Sequence, residues 1–179
     1  TFKPAPSNTG LVFIREDIDG DNFIEAHIKH ISNTDRGTNL DNGSFRIHTS
    51  EHVLAALTGL GIDNCYICLN GAEVPIMDGS SKFFIQAIEE AKIVEQNALR
   101  EEFFPNEEIS YECKESGSKI SIIPHESYSV DTKVDYDTKV LGKFYHFSYI
   151  FGEMLWFISI KRNSDISIIA TDFITDLST

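Results

Sequence analysis

Glu51 and His52 are the adjacent residues in this sequence best suited to hydrolytic chemistry. Both fall in the first turn of a predicted helix, where free N–H groups and the helix dipole favour an ionised carboxylate and a neutral imidazole. Neighbouring helical residues point about 100° apart, so the carboxylate can reach a water molecule while the imidazole binds a metal. The plainer interpretation is a capping-region Glu beside a surface His, and these two residues alone leave both interpretations open.

A second pattern overlaps this pair. Residues 48–52 (HTSEH) match H-x-x-E-H, the inverted zinc-protease signature in which two His residues one helical turn apart bind Zn²⁺. That arrangement requires all five residues to be helical. His48 ends a strand-like alternation, and Thr49 or Ser50 is the predicted N-cap. We therefore do not favour the protease interpretation.

Two further motifs have simpler structural explanations. Cys65 and Cys68 form a lone C-x-x-C, and on a strand their side chains point to opposite faces, so small core residues explain them better than a zinc site. Residues 78–81 (DGSS) could hold an anion at the helix that follows. We favour the simpler interpretation, a tight turn followed by an N-cap.

Composition narrows the class of protein. The 179 residues are 41% hydrophobic and 24% charged, which is typical of one or two folded domains. A formal net charge of −13 disfavours nucleic acid as a partner. No apolar run reaches the roughly 18 to 20 residues of a transmembrane helix. Three cysteines fit a reducing cytoplasm better than a disulfide framework.

Hydrophobic periodicity predicts the elements that would position these residues. Apolar residues at i, i+3, i+4 and i+7 predict two amphipathic helices, with the stripes Val53, Ala56, Leu57, Leu60 and Phe84, Ala87, Ile88, Ala91. Alternating or short apolar runs predict strands at 23–31, 45–47, 64–70, 111–113, 119–123 and 127–137. In the first of these strands, Ile24, Ala26 and Ile28 share one face. The aromatic-rich stretch after Gly142 gives no prediction.

Several long motifs in order resemble one known family. They are residues 4–10 (PAPSNTG), then Thr34, then residues 49–57 (TSEHVLAAL), 59–64 (GLGIDN) and 73–80 (EVPIMDGS). Together they resemble the first domain of UDP-3-O-acyl-N-acetylglucosamine deacetylase, the zinc amidase of bacterial lipid A and lipopolysaccharide synthesis. The resemblance runs over about residues 2–142.

The resemblance implies an α+β fold of two domains with similar topology, each a small sheet packed with two helices. Residues 1–100 would be the first domain, without the family's opening strands, and residues 101–142 the start of the second. Residues 143–179 would be a divergent tail, produced either by a change of reading frame or by a divergent end.

The resemblance also implies a function in lipid metabolism. Glu51 would be the general base, His52 the first zinc ligand, and Thr34 part of the substrate-side loop at the active site. The enzyme would be a cytoplasmic, metal-binding hydrolase that releases acetate from a UDP-linked acylated N-acetylglucosamine.

One departure from the family affects the zinc site. The family's other ligands, an H-x-x-x-D motif in the second domain, have no counterpart, since no His here is followed four residues later by Asp. We therefore expect this chain alone to be an inactive fragment. The alternative is a non-catalytic remnant of the same fold.

Overall fold

The chain divides into two compact units. A computed structural model describes residues 1–34, 37–100, 104–125, 129–134, 145–150, 160–161 and 167–168. The first unit contains Thr1–Ala98, and the second lies within Leu99–Met154. Each unit is described by itself below.

The first unit is an α+β fold, which confirms the predicted fold class. In chain order its elements are β1 (Phe2–Pro4), β2 (Leu11–Arg15), β3 (Phe23–Glu25), a 3-10 turn (Ile28–His30), β4 (Ile31–Asn33), β5 (Asn39–Asp41), β6 (Arg46–Ile47), α1 (Glu51–Gly59), β7 (Cys65–Leu69) and α2 (Lys82–Ala91). Four strands form a sheet in the order β1-β7-β2-β3, and three form a second sheet in the order β4-β5-β6.

The parallel pair β2 and β7 lies at the centre of the larger sheet, with Phe13 opposite Ile67. Strands β1 and β3 flank this pair in antiparallel orientation. On one face of the pair, Phe13 and Ile67 belong to the hydrophobic core, whereas Val12 and Cys68 are buried on the other face. Because β2 is buried on both faces, its sequence is a nearly continuous apolar run, residues 11–14 (LVFI).

Helix α1 packs against the larger sheet and contributes to the hydrophobic core. Its fully or almost fully buried side chains are Val53, Ala56 and Leu57, which confirms the predicted stripe at these positions. The helix contacts α2, and both contribute to a single core cluster with β2 and β7. Because its inner face is fixed by this packing, the N-terminal turn of α1 is held in a defined position.

Two details of the predicted elements are wrong. The strand predicted over residues 23–31 ends at Glu25, because His27 accepts a hydrogen bond from the Lys29 N–H (3.1 Å) and the chain turns into the 3-10 segment. Ile28 is consequently 79% exposed rather than on a buried face. In α2 the buried residues are Phe84, Ile85 and Ile88, whereas Ala87 and Ala91 of the predicted stripe are exposed.

Strands beyond residue 100 pair as local hairpins. They are β8 (Ile109–Glu112) with β9 (Lys119–Ile122), and β10 (Ser129–Val134) with β11 (Tyr145–Ile150). Two short strands follow, β12 (Ile160–Lys161) and β13 (Ser167–Ile168). The predicted strands at 111–113 and 119–123 overlap β8 and β9. The ends of the strand predicted at 127–137 lie outside the described residues. No helix in the described ranges is long and apolar enough to cross a bilayer.

Candidate active site

The chain enters α1 through a sharp turn at Thr49. His48 forms a bridge to Glu73, donating its N–H to the Ala72 carbonyl (2.8 Å) and accepting the Val74 N–H (3.0 Å). Thr49 then adopts a positive φ of 58°, and its hydroxyl donates to Glu73 Oε1 (2.9 Å). His48 therefore lies on an extended segment, and residues 48–52 do not form the continuous helix that the inverted-protease pattern requires.

Ser50 occupies the N-cap position of α1, as predicted, but makes no capping hydrogen bond with its side chain. The residue is fully buried, and its hydroxyl donates instead to the Thr38 carbonyl (2.8 Å). The Ser50 N–H donates to the same oxygen (3.1 Å). Ser50 thus joins the start of α1 to the connection between β4 and β5.

The Glu51 carboxylate is buried and hydrogen-bonded. Only 7% of the residue is exposed, and Oε2 accepts the Thr38 N–H at 2.7 Å. A charged group removed from water needs such partners, since desolvation of an unpaired carboxylate is costly. The Thr38 backbone therefore supplies a partner for Oε2, whereas no described residue donates a hydrogen bond to Oε1.

His52 lies beside this carboxylate and is 6% exposed. Its Nε2 is 3.9 Å from Glu51 Oε1. Its Nδ1 is buried and has no hydrogen-bond partner within the described part of the chain. The Ser81 hydroxyl donates to the His52 carbonyl (2.9 Å), which ties the first turn of α1 to the start of α2.

An unsatisfied nitrogen is unusual on a buried imidazole, because leaving a buried polar atom unpaired costs about 1 to 3 kcal/mol. A metal ion is one group that would satisfy it, so His52 fits the role of a metal ligand. Over the described ranges, however, no three His, Cys, Asp or Glu side chains are grouped so that they could hold a metal ion. The described residues therefore offer one ligand to a metal site and do not complete one.

Thr34, the third predicted site residue, lies in the connection between β4 and β5 and is partly buried. The same connection brings Gly37 and Thr38 against Glu51. Sequence reasoning missed Gly37 and Thr38, because a Gly-Thr pair thirteen positions before a Glu carries no local signal. Their role depends on how the connection folds back onto α1.

The cysteine pair contributes nothing to this site. Cys65 and Cys68 are both buried free thiols, and burial raises the pKa of each. Cys65 belongs to the core cluster, whereas Cys68 lies on the opposite face of β7. Residues 78–81 form the predicted turn, in which Asp78 Oδ1 accepts the N–H (3.0 Å) and the hydroxyl (2.7 Å) of Ser80.

The first unit therefore places a candidate general base beside a candidate metal ligand at the start of one helix of an α+β fold. The family model for UDP-3-O-acyl N-acetylglycosamine deacetylase (LpxC) matches residues 1–160. The chain belongs to this family, which confirms the resemblance seen in the sequence. The match reaches beyond residue 142, and the boundaries of the three predicted segments stay predictions.

Curated relatives are similar over most of this chain. The bifunctional enzymes LpxC/FabZ of Bacteroides thetaiotaomicron and Chlorobaculum tepidum are 38% and 43% identical, each over 79% of the chain but only 31% and 30% of their own length. The UDP-3-O-acyl-N-acetylglucosamine deacetylase of Acidithiobacillus ferrooxidans is 41% identical over 78% of the chain and 45% of its own length. The chain thus spans less than half of these relatives.

Proposed function

We propose that this chain is part of a zinc-dependent hydrolase that removes the N-acetyl group of UDP-3-O-acyl-N-acetylglucosamine in bacterial lipid A biosynthesis, in the cytoplasm. The observation that carries the proposal is the buried Glu51–His52 pair at the start of α1, in which one His52 nitrogen has no hydrogen-bond partner among the described residues. Family membership and the name of the Acidithiobacillus relative support the substrate assignment.

In this proposal Glu51 is the general base and His52 is a zinc ligand. When bound, zinc supplies Lewis-acid polarisation of the acetamide carbonyl and activation of water. Glu51 accepts a proton from the attacking water as its oxygen bonds to the carbonyl carbon. The same carboxyl group returns a proton to the nitrogen as the C–N bond breaks, which releases acetate and the free amine. Thr34 contributes to the loop on the substrate side.

The remaining zinc ligands are expected outside the described residues. A catalytic zinc site has three protein ligands and one open position, and the described residues offer only His52. We therefore expect the 179-residue chain alone to bind zinc weakly and to lack deacetylase activity.

The test compares variants of the longest protein that carries this chain. Glu51→Gln should retain zinc, because the ligands are unchanged, while turnover falls by about 10² to 10⁴-fold. His52→Ala should lose zinc. Glu25→Gln is the matched control, since Glu25 is exposed and lies on β3, and it should behave as the wild type.

Four outcomes would contradict the proposal or its parts. Full turnover in Glu51→Gln, or loss of its zinc, would overturn the base assignment. A wild-type protein with neither zinc nor amine release would identify a non-catalytic remnant. Loss of zinc and turnover in His48→Ala would favour the inverted-protease ligand pattern instead, because a deacetylase of the proposed kind should retain most of its turnover.

A further inference from the structure

The backbone of Gly37 and Thr38 lies directly against the Glu51 carboxylate. A Cβ atom built on Gly37 would be 3.1 Å from Glu51 Oε1 and 3.2 Å from Oε2. Both distances are shorter than ordinary van der Waals contacts of a Cβ atom. A side chain at position 37 would therefore require the carboxylate or the backbone to shift by a few tenths of an ångström.

Thr38 is held through both its N–H and its carbonyl. Its N–H donates to Glu51 Oε2 (2.7 Å), while its carbonyl accepts both the Ser50 N–H (3.1 Å) and the Ser50 hydroxyl (2.8 Å). These three hydrogen bonds join the N-cap and the first residue of α1 to one residue of the connection between β4 and β5. A hydrogen bond to a charged acceptor is stronger than a neutral one, so the carboxylate is the main anchor.

The two carboxylate oxygens of Glu51 consequently have different environments. Oε2 is occupied by the Thr38 N–H, and Oε1 is the oxygen that lies 3.9 Å from His52 Nε2. The Thr38 N–H already occupies Oε2, whereas no described residue donates a hydrogen bond to Oε1, so Oε1 is the oxygen that a water molecule can approach.

We infer that the Gly37–Thr38 backbone is a positioning element for the general base, which orients Glu51 so that Oε1 is the oxygen that exchanges the proton. This inference rests on the proposed role of Glu51. It assigns a function in the reaction to two residues that do not themselves react. It also explains why a glycine precedes Thr38, since a side chain there would push the carboxylate away from its donor.

The first experiment is Gly37→Ala in the full-length, zinc-loaded protein. The added methyl group should displace the carboxylate, so kcat should fall by about 10 to 100-fold, while KM changes by less than about 2-fold. Zinc content should not change. Gly71→Ala is the matched control, because a Cβ atom there meets nothing within 4 Å and Gly71 is not in the positive-φ region.

A double variant separates positioning from a general structural effect. In the Glu51→Gln background, Gly37→Ala should cause little further loss of kcat, because the base that it positions is already absent. A loss of the same size in both backgrounds would show that Gly37 acts through something other than Glu51 and would overturn the inference.

The second experiment needs no activity and uses the 179-residue chain itself. In Glu51→Ala, the Thr38 amide loses its charged acceptor, so its proton resonance should move upfield and its hydrogen exchange should become about 10-fold faster. Glu25→Ala should leave the Thr38 amide unchanged. An unchanged Thr38 amide in Glu51→Ala would show that the contact does not exist in solution.

The two experiments separate failure of this inference from failure of the proposed function. If the wild-type protein deacetylates the substrate and Gly37→Ala matches Gly71→Ala, the inference is wrong and the proposed function stands. If the wild-type protein is inactive, the proposed function fails and the inferred role in proton transfer fails with it, even if the Thr38 amide responds. If Gly37→Ala does not fold or loses zinc, the Thr38 amide in Glu51→Ala decides whether the contact exists.

Discussion

Truncation of Leu57 tests the packing of α1 into the hydrophobic core. Leu57 is 0% exposed and belongs to the same core cluster as Phe13 and Ile67 of the central strands. Replacing a fully buried Leu by Ala costs about 2 to 5 kcal/mol, through lost transfer free energy and the cavity that remains. Because the sheet below Leu57 limits collapse of that cavity, we expect a loss of about 3 kcal/mol for Leu57→Ala.

The expected shift in melting temperature follows from the size of the first unit. An unfolding entropy of about 2.1 cal/mol/K per residue gives roughly 0.2 kcal/mol/K for a unit of this size, so 3 kcal/mol corresponds to a decrease of about 15 °C. Thermal and urea unfolding followed by circular dichroism measure this change. Ile28→Ala is the control, since Ile28 is 79% exposed and its truncation should change stability by less than about 0.5 kcal/mol. A loss below about 1 kcal/mol for Leu57→Ala would refute the assigned packing.

Two further predictions concern ionisable groups. The Arg15 guanidinium, which donates to both Asp17 carboxylate oxygens at 2.7 Å, lowers the pKa of Asp17. This stabilisation is complete above about pH 4 and is lost as pH falls through the lower folded-state pKa, so Asp17→Asn should show a shallower acid dependence in urea unfolding. A hydrogen bond from Ser116 lowers the pKa of Cys113, whereas burial raises the pKa of Cys65 and Cys68. A thiol reagent should therefore label Cys113 first, and a fast phase that persists in Cys113→Ser would contradict this assignment.

Local sequence patterns predicted the elements that bury only one face. The stripe of α1 was recognisable because Val53, Ala56 and Leu57 face one core. The pattern failed for β2, because Val12 and Phe13 are buried on opposite faces and give no alternation. It also failed at Ile28, where a hydrogen bond between His27 and Lys29 ends the strand although the alternation continues.

In the candidate site, too, the local structure was predicted from sequence and the long-range contacts were not. The sequence predicted that Glu51 and His52 begin a helix, since capping residues and periodicity are local signals. It did not predict that Ser50 bonds to Thr38 rather than capping α1, because that choice depends on where the β4–β5 connection passes. The hydrogen bonds of the Glu51 carboxylate therefore depend on tertiary contacts. The position of Glu51 at the start of the helix can be predicted from local sequence.

The two members of the Glu51–His52 pair differ in how completely the first unit satisfies them. The Glu51 carboxylate has a short hydrogen bond to Thr38 and a backbone packed against it, so its orientation is set within Thr1–Ala98. The buried Nδ1 of His52 has no partner among the described residues. A buried polar atom without a partner destabilises the folded state, and a bound group that pairs with it removes that cost. The described residues of the first unit thus set the orientation of the proposed base but provide no hydrogen-bond partner for Nδ1 of the proposed ligand. Zinc binding should accordingly depend on groups outside the described residues, whereas the orientation of Glu51 should not.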